Sequence, residues 1–266
     1  MSEKEITRMR FLLKYILLFV FGLSSILVYW NQKIITRTLT TFFNQISNID
    51  YSSTFDSNLP HDSDYTFGID VSKYQGKIKW NMINESHHPI EYVIMRSTMG
   101  DDRKDIRYKE NWIGAKKQGF IRGSYHYYDP NENSTKQAHN FINTVKLEVG
   151  DLPPILDIEA FSKFGNNNLR KGIKNWLKLI EEHYGVTPLI YTGLGFYKQQ
   201  IKGKIDTKYP LWIAAYSGRN RLTEVNWIFH QFTTKVNVKG IRGTVDGNDF
   251  NGLLKQLENL TMTHIN

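Results

Sequence analysis

The chain has 266 residues, 40% apolar and 23% charged, which is enough to bury one large core without covalent staples. It has no cysteine, which excludes a disulfide framework and any thiolate metal site. The net charge of +8 and pI near 9.4 suit a polyanionic neighbour. No Lys/Arg block, zinc-finger or RNA-binding signature accompanies that charge, so no nucleic acid is expected as a partner.

The first expected element is a single transmembrane helix. Residues 11–30, FLLKYILLFVFGLSSILVYW, form a twenty-residue run with one charge, Lys14. That length matches a bilayer core of about 30 Å. Lys14 can snorkel, and Tyr29 and Trp30 stand where interfacial aromatics are found. The run exceeds the apolar core of a signal peptide, and Tyr29-Trp30-Asn31 is not a small-residue cleavage site. Lys4, Arg8 and Arg10 ahead of it favour residues 1–10 as a cytoplasmic tail, with the rest of the chain extracytoplasmic. Residues 31–64 read as stalk and linker. Ile35, Leu39, Phe42, Phe43 and Ile46 share one helical face suited to the membrane surface. Residues 48–64 are rich in Ser, Asn and Asp, a flexible tether spanning roughly 20–25 Å as a coil.

From Tyr65 onward, short β-rich runs alternate with helical patterns. The strands are expected at Thr66–Val71, Tyr92–Thr98, Ile121–Tyr128, Ile155–Glu159, Leu189–Thr192, Leu211–Ala215, Ile228–Phe232 and Gly243–Asn248, with helices at Asp105–Gln118, Ser134–Val145 and Asn168–Tyr184. Eight strands alternating with helices predict an α/β fold, an irregular (β/α) TIM-like barrel over residues 65–258. The last connections are too short for full helices, and residues 259–266 read as a C-terminal tail.

Chemistry in such a barrel sits at the C-terminal strand ends. Asp70, Arg96, Tyr125, Tyr127, Asp157, Glu159, Tyr191, Trp212, Tyr216, Gln231 and Asp246 collect there. Acids beside aromatics suit a carbohydrate cleft, where sugar rings stack and carboxylates bond hydroxyls. The most informative pair is Asp157 and Glu159. Residues i and i+2 of a strand face the same way, roughly 6.5–7 Å apart at Cα. Ile158 between them would point into packing. Two carboxyls on an otherwise apolar strand belong at an open end, and paired carboxyls can split a glycosidic bond. Crowding raises one pKa, so Glu159 is expected to hold the proton and Asp157 to stay ionised.

The remaining signals are weaker. Asp246-Gly247-Asn248-Asp249 lacks the later ligands of a calcium loop, Gly193-Leu194-Gly195 lacks a third nucleotide-loop glycine, and His126 reads as a packed histidine. No metal site and no cofactor are expected.

These residues carry a resemblance. Gly68-Ile69-Asp70-Val71-Ser72-Lys73-Tyr74-Gln75-Gly76 with Trp80 is similar to the opening strand of glycoside hydrolase family 25, the lysozyme-type muramidases. Tyr92–Arg96, Arg122–Tyr127, Gln137-Ala138 with Phe141, Pro154–Glu159, Pro188–Thr192, Leu211–Tyr216, Trp227–Phe232 and Val245–Phe250 follow in the family's order. The resemblance covers roughly residues 65–255. It implies hydrolysis of the β-1,4 bond from N-acetylmuramic acid to N-acetylglucosamine, with the peptidoglycan glycan strand as partner. It implies Glu159 as general acid/base, Asp157 as assisting carboxylate, and Asp70 and Asp246 as further acids of the cleft. Trp-Ile-Phe-His-Gln-Phe stands where Trp-Gln-Tyr is expected, so His230 and Phe232 are expected to reshape a rim. The alternative reading is a non-catalytic, membrane-tethered peptidoglycan-binding protein on the same fold. A chitinase-type enzyme would carry further acids upstream, where Pro153, Pro154 and Ile155 stand. Oligomeric state is not legible.

Overall fold

The computed structural model describes residues 65–85 and 89–264. The expected cytoplasmic tail, membrane span at 11–30 and linker at 31–64 lie outside the described residues. Among the described residues, no helix is long and apolar enough to cross a membrane.

Nine strands form one sheet: β1 (Thr66–Val71), β2 (Tyr92–Met99), β3 (Arg103–Lys104), β4 (Ile121–Tyr127), β5 (Ile155–Asp157), β6 (Leu189–Gly193), β7 (Leu211–Ala214), β8 (Trp227–Asn237) and β9 (Thr244–Phe250). The order β1-β9-β8-β7-β6-β5-β4-β2 closes through a β1–β2 pairing into an eight-stranded barrel, and β3 adds a short outer rung to β2. The seven strands other than β9 run parallel around the barrel. β9 runs antiparallel to both β8 and β1. The eight expected strands are present, but the last departs from a uniform βα series. Only six residues, 238–243, join β8 to β9, enough for a hairpin and too few for a crossover helix.

The helices are α1 (Tyr108–Lys117), α2 (Ser134–Thr144), α3 (Asn166–Tyr184), a single turn α4 (Leu194–Phe196) running into a π turn at Tyr197–Ile201, and α5 (Leu254–Leu260). α3 shows the plainest physical cause. Leu169, Ile173, Trp176, Leu177, Ile180 and Tyr184 recur at helical spacing, and all are buried. Burying each aliphatic member contributes roughly 1.5–3 kcal/mol. Gly185, at φ 68°, ends the helix in the left-handed conformation that glycine adopts without steric cost. α1 starts later than expected, at Tyr108, because Asp105 is spent elsewhere. Its carboxylate accepts from Arg96 Nε, from the Lys73 N–H and from the Arg107 N–H, each at 2.9 Å.

Alternation along the strands sorts the core into two layers. Ile69, Val71, Val93, Met95, Leu156, Ile158, Ile190 and Ile213 face outward to the helices. Tyr92, Ile94, Tyr125, Ile155, Leu189, Tyr191, Trp212, Phe229 and Phe250 fill the barrel, with Leu257 of α5 buried among them. Gly68 faces the same interior. A Cβ there would stand 2.5 Å from the Tyr92 ring, so the residue must be glycine for Tyr92 to occupy the axis. The folded unit also runs past residue 258. α5 reaches Leu260, and Met262 is buried with its N–H on the Asp151 carbonyl at 2.8 Å.

Candidate active site at the barrel mouth

The inward-facing rows change character at their C-terminal ends, where packing can no longer be completed from all sides. Asp70 follows Gly68, Arg96 follows Ile94, Tyr127 follows Tyr125, Asp157 follows Ile155, and Gln231 follows Phe229. They converge on a cleft of about 200 Å³ lined also by Glu159, Tyr191, Trp212 and Asp246. Asp246 reaches this mouth from the start of β9. Because β9 is antiparallel, its N-terminal end lies beside the C-terminal ends of the others, and Asp246 pairs in register with Asp70.

The expected site residues thus line one cleft, except Tyr216, which stands exposed on the rim and donates to Gln231 Oε1 at 2.7 Å. Trp212 needs correction as a stacking surface. It is only 1% exposed, wedged between Tyr125 and Tyr191, and its Nε1 donates to Asn248 Oδ1 at 2.9 Å. His230 also needs correction. It does not shape the rim but is buried in the wall, with Nε2 2.8 Å from the Ala215 carbonyl oxygen. His126 is packed as expected, between Thr98 and Gln137, and burial lowers its pKa to about 4. Two functional positions were not singled out. Tyr74 lines the cleft and is 76% exposed as a residue, its ring backed by the Arg96 guanidinium 4.9 Å from the centroid. Asn248 joins Trp212 to Asp70. Both lie inside motifs quoted above, but a lone Tyr or Asn in a motif shows no contact.

A buried amide relay holds the first acid. Tyr191 and Tyr216 both donate to Gln231 Oε1, at 2.8 and 2.7 Å, which points Gln231 Nε2 at Asp70 Oδ2, 2.8 Å away. Trp212 fixes the Asn248 amide in the same way, so Asn248 Nδ2 donates to that oxygen, also at 2.8 Å. Burial first, then the neighbouring Asp246, pushes the Asp70 carboxyl up to about 8, against the relief from the two amides. Asp246 is raised by burial and eased by its hydrogen bond with Asp70. Asp70 therefore carries the proton and Asp246 accepts it.

The paired carboxyls differ from expectation in one respect. Both line the cleft, with Ile158 fully buried in the outer layer behind them, and Glu159 stands exposed at the lip just past the end of β5. Glu159 is raised by burial, eased by Tyr191 and raised again by Asp246. Asp157, however, is buried, and its Oδ1 has no hydrogen-bond partner. Burial, then Glu159 and Asp70, push its carboxyl well above the usual carboxylate range, against the pull of Arg96. Burial thus works against the ionised Asp157 that was expected, and the ionised form calls for a donor at Oδ1. Strand alternation could place it on the right face but could not show how deeply its neighbours would cover it.

Asp70 yields a stability prediction. A carboxyl raised in the fold contributes stability that is complete below its unfolded pKa of about 4 and is lost as pH rises through its folded value. For Asp70 that window runs from about 4 up to about 8. Asp70→Asn keeps an oxygen for both amide donors and an N–H for Asp246, and it never ionises. The expected Tm gain at pH 8 is at least 2–4 °C, the shift that about 1 kcal/mol produces in a domain of this size. Near pH 4 wild type and variant should melt together, and thermal scans at the two pH values check this.

Comparison with known proteins decides the family. The sequence pattern described as glycosyl hydrolases family 25 matches residues 69–241. The chain belongs to that family. This family member is 34% identical to the uncharacterized protein YegX of Escherichia coli K12 over 195 residues, 72% of this chain and 71% of that one. It is 29% identical to Lysozyme M1 of Streptomyces globisporus over 216 residues, 74% of this chain and 72% of that one. A family 25 glycosyl hydrolase from Bacillus anthracis superposes with a TM-score of 0.69 at 26% identity, covering 76% of this chain and 96% of that one. The family 25 chain is thus a glycoside hydrolase, and its barrel mouth is the candidate active site.

Proposed function

We propose that this family 25 hydrolase is an N-acetylmuramidase of the lysozyme type, cutting peptidoglycan between N-acetylmuramic acid and N-acetylglucosamine. The observation that carries the reading is the pairing of Glu159 at the lip, its carboxyl shifted upward, with a buried Asp157 in one cleft ringed by tyrosines. A relative bearing the name Lysozyme M1 supports it.

In this reading Glu159 gives its proton to the glycosidic oxygen as that bond breaks. Positive charge develops at the anomeric carbon of the muramic sugar, whose N-acetyl oxygen can share it. Asp157 faces that charge. Its unpartnered Oδ1 accepts the N-acetyl N–H of the bound sugar, which favours the ionised carboxylate when it is needed. Water then adds its hydroxide to the anomeric carbon and returns a proton to Glu159. Asp70, its amide relay and Arg96 hold the floor, and Tyr74, Tyr127 and Tyr216 offer ring faces to sugars at the rim. The full chain incubated with purified sacculi should release fragments with N-acetylmuramic acid at the new reducing end. Reducing ends made only of N-acetylglucosamine would defeat the assignment.

The same proposal holds the enzyme to a membrane through residues 11–30, with a cytoplasmic N-terminus and an extracytoplasmic barrel. The support is the twenty-residue apolar run with its single charge. Recovery of the full chain in the membrane pellet after an alkaline wash, and loss of that retention on deleting residues 1–64, is the expected outcome.

A further inference from the structure

One strand is not needed to close the barrel. β3 is only Arg103–Lys104, and it pairs with Thr98 and Met99 on the outer side of β2. The chain turns back at Gly100, whose carbonyl, like that of Arg103, accepts from Asn140 Nδ2 of α2, at 3.1 and 3.0 Å. Just past this rung the Asp105 N–H bonds the Ser97 carbonyl at 2.8 Å. The rung thus returns the chain so that the Asp105 carboxylate meets Arg96, nine residues upstream.

Asp105 does not line the cleft, and its side chain is fully buried. Its Oδ2 nevertheless holds two parts of the cleft at once, the Arg96 Nε–H and the Lys73 N–H, both at 2.9 Å. Its Oδ1 takes the Arg107 N–H at 2.9 Å, which fixes the plane of the carboxylate. Lys73 opens the single turn Lys73–Gln75 that carries Tyr74. Ser72 and Gln75 brace the same turn, with the Ser72 N–H on Gln75 Oε1 at 2.8 Å and the Tyr74 N–H on Ser72 Oγ at 3.3 Å.

Because one oxygen holds both the arginine and the turn, guanidinium and ring are brought together. The Arg96 guanidinium carbon lies 4.9 Å from the Tyr74 centroid. Arg96 Nη2 is buried with no hydrogen-bond partner, and a ring face is an attractive surface for such a cation. Lys73 Nζ, 5.5 Å from the same centroid, belongs to an exposed side chain that a ligand can displace. Tyr74 is therefore pinned from below and open to the cleft. A sugar that stacks on a ring already held immobilises less than one that stacks on a free side chain.

We propose that Asp105 is a positioning residue for glycan binding: from outside the cleft it holds Arg96 beneath Tyr74 and so presets that ring as the stacking platform for a sugar at the rim. The nature of the glycan rests on the muramidase reading above. The test measures the dissociation constant of the full chain for peptidoglycan fragments solubilised by sonication, in a Glu159→Gln parent so that nothing is cleaved. Asp105→Ala and Tyr74→Ala should each weaken binding about two- to tenfold, the cost of ordering one side chain on association. The double variant should bind no more weakly than Tyr74→Ala alone, because Asp105 acts through that ring. Glu110→Ala removes an exposed acid of α1 that pairs with Arg107, and it should match the parent. Where alanine at 105 unfolds the chain, as removing the partner of a buried arginine can, Asp105→Asn enters the same cycle. Its single oxygen cannot serve all three donors, so weaker binding is again expected, and again only with Tyr74 in place. Losses that multiply in the double variant, or Asp105 variants that bind like the parent, overturn the inference while the muramidase reading stands. A parent that binds no fragment, together with a wild type that cuts none, overturns both.

Discussion

Glu159→Gln is expected to lower kcat/KM on peptidoglycan by about 10²–10⁴-fold, the contribution of a well-placed proton donor. The amide has the shape of the acid and keeps a polar group at the lip, but it has no proton to give. Glu159 meets the relay that holds Asp70 only through the Tyr191 hydroxyl, for which the amide keeps an oxygen, so the cleft floor and glycan binding should survive. The pH profile should change as well. The wild-type carboxyl is raised, chiefly by burial, so the rate should fall as pH rises through its titration, at a higher pH than an ordinary glutamate would give. The residual rate of the variant should lack this alkaline fall. Single-turnover digestion and a pull-down on sacculi measure the two halves. A variant that keeps more than about a tenth of the wild-type rate would remove Glu159 from the donor role.

Asp157→Asn should move activity and stability in different directions. Activity is expected to fall by about 10²–10³-fold, the usual loss when one charge-stabilising group leaves a desolvated site. Stability near neutral pH should hold or rise. The Asp157 carboxyl is raised in the fold, so what it contributes below an unfolded pKa of about 4 disappears as pH climbs through its folded value. Asparagine never ionises and escapes that loss. A residue whose role was only packing would lose activity and stability together. Paired kinetic and melting measurements at pH 5 and pH 8 separate the cases, and a clear drop in Tm at pH 8 would count against the charge-based role of Asp157.

Several differences between expectation and structure have one cause. α1 begins after Asp105 because Arg96, on a different strand, claims that carboxylate. Trp212 disappears into the floor because Tyr125 and Tyr191 close over it. His230 turns outward because Gln231 holds the inward position beside it. Met262 docks because Asp151, fixed by a buried fork from Arg122 at 2.7 and 2.9 Å, presents its carbonyl. Each depends on a contact made in three dimensions, at separations from 9 residues for Arg96 and Asp105 to 161 for Asp70 and the Gln231 beside His230. Local periodicity has no access to it.

Residues alone determined what is local. Pleating has a period of two, so Asp157 and Glu159 had to flank an Ile158 that packs the opposite way, and the spacing of Leu169, Ile173 and Leu177 had to make α3 two-faced. Ordered motifs were enough to indicate the family and the barrel. Only the tertiary structure decided which acids hold protons. Protonation depends on burial and on which charges meet, and those are set by pairings such as β1 with β9, which brings Asn248 onto Asp70 across 178 residues of chain.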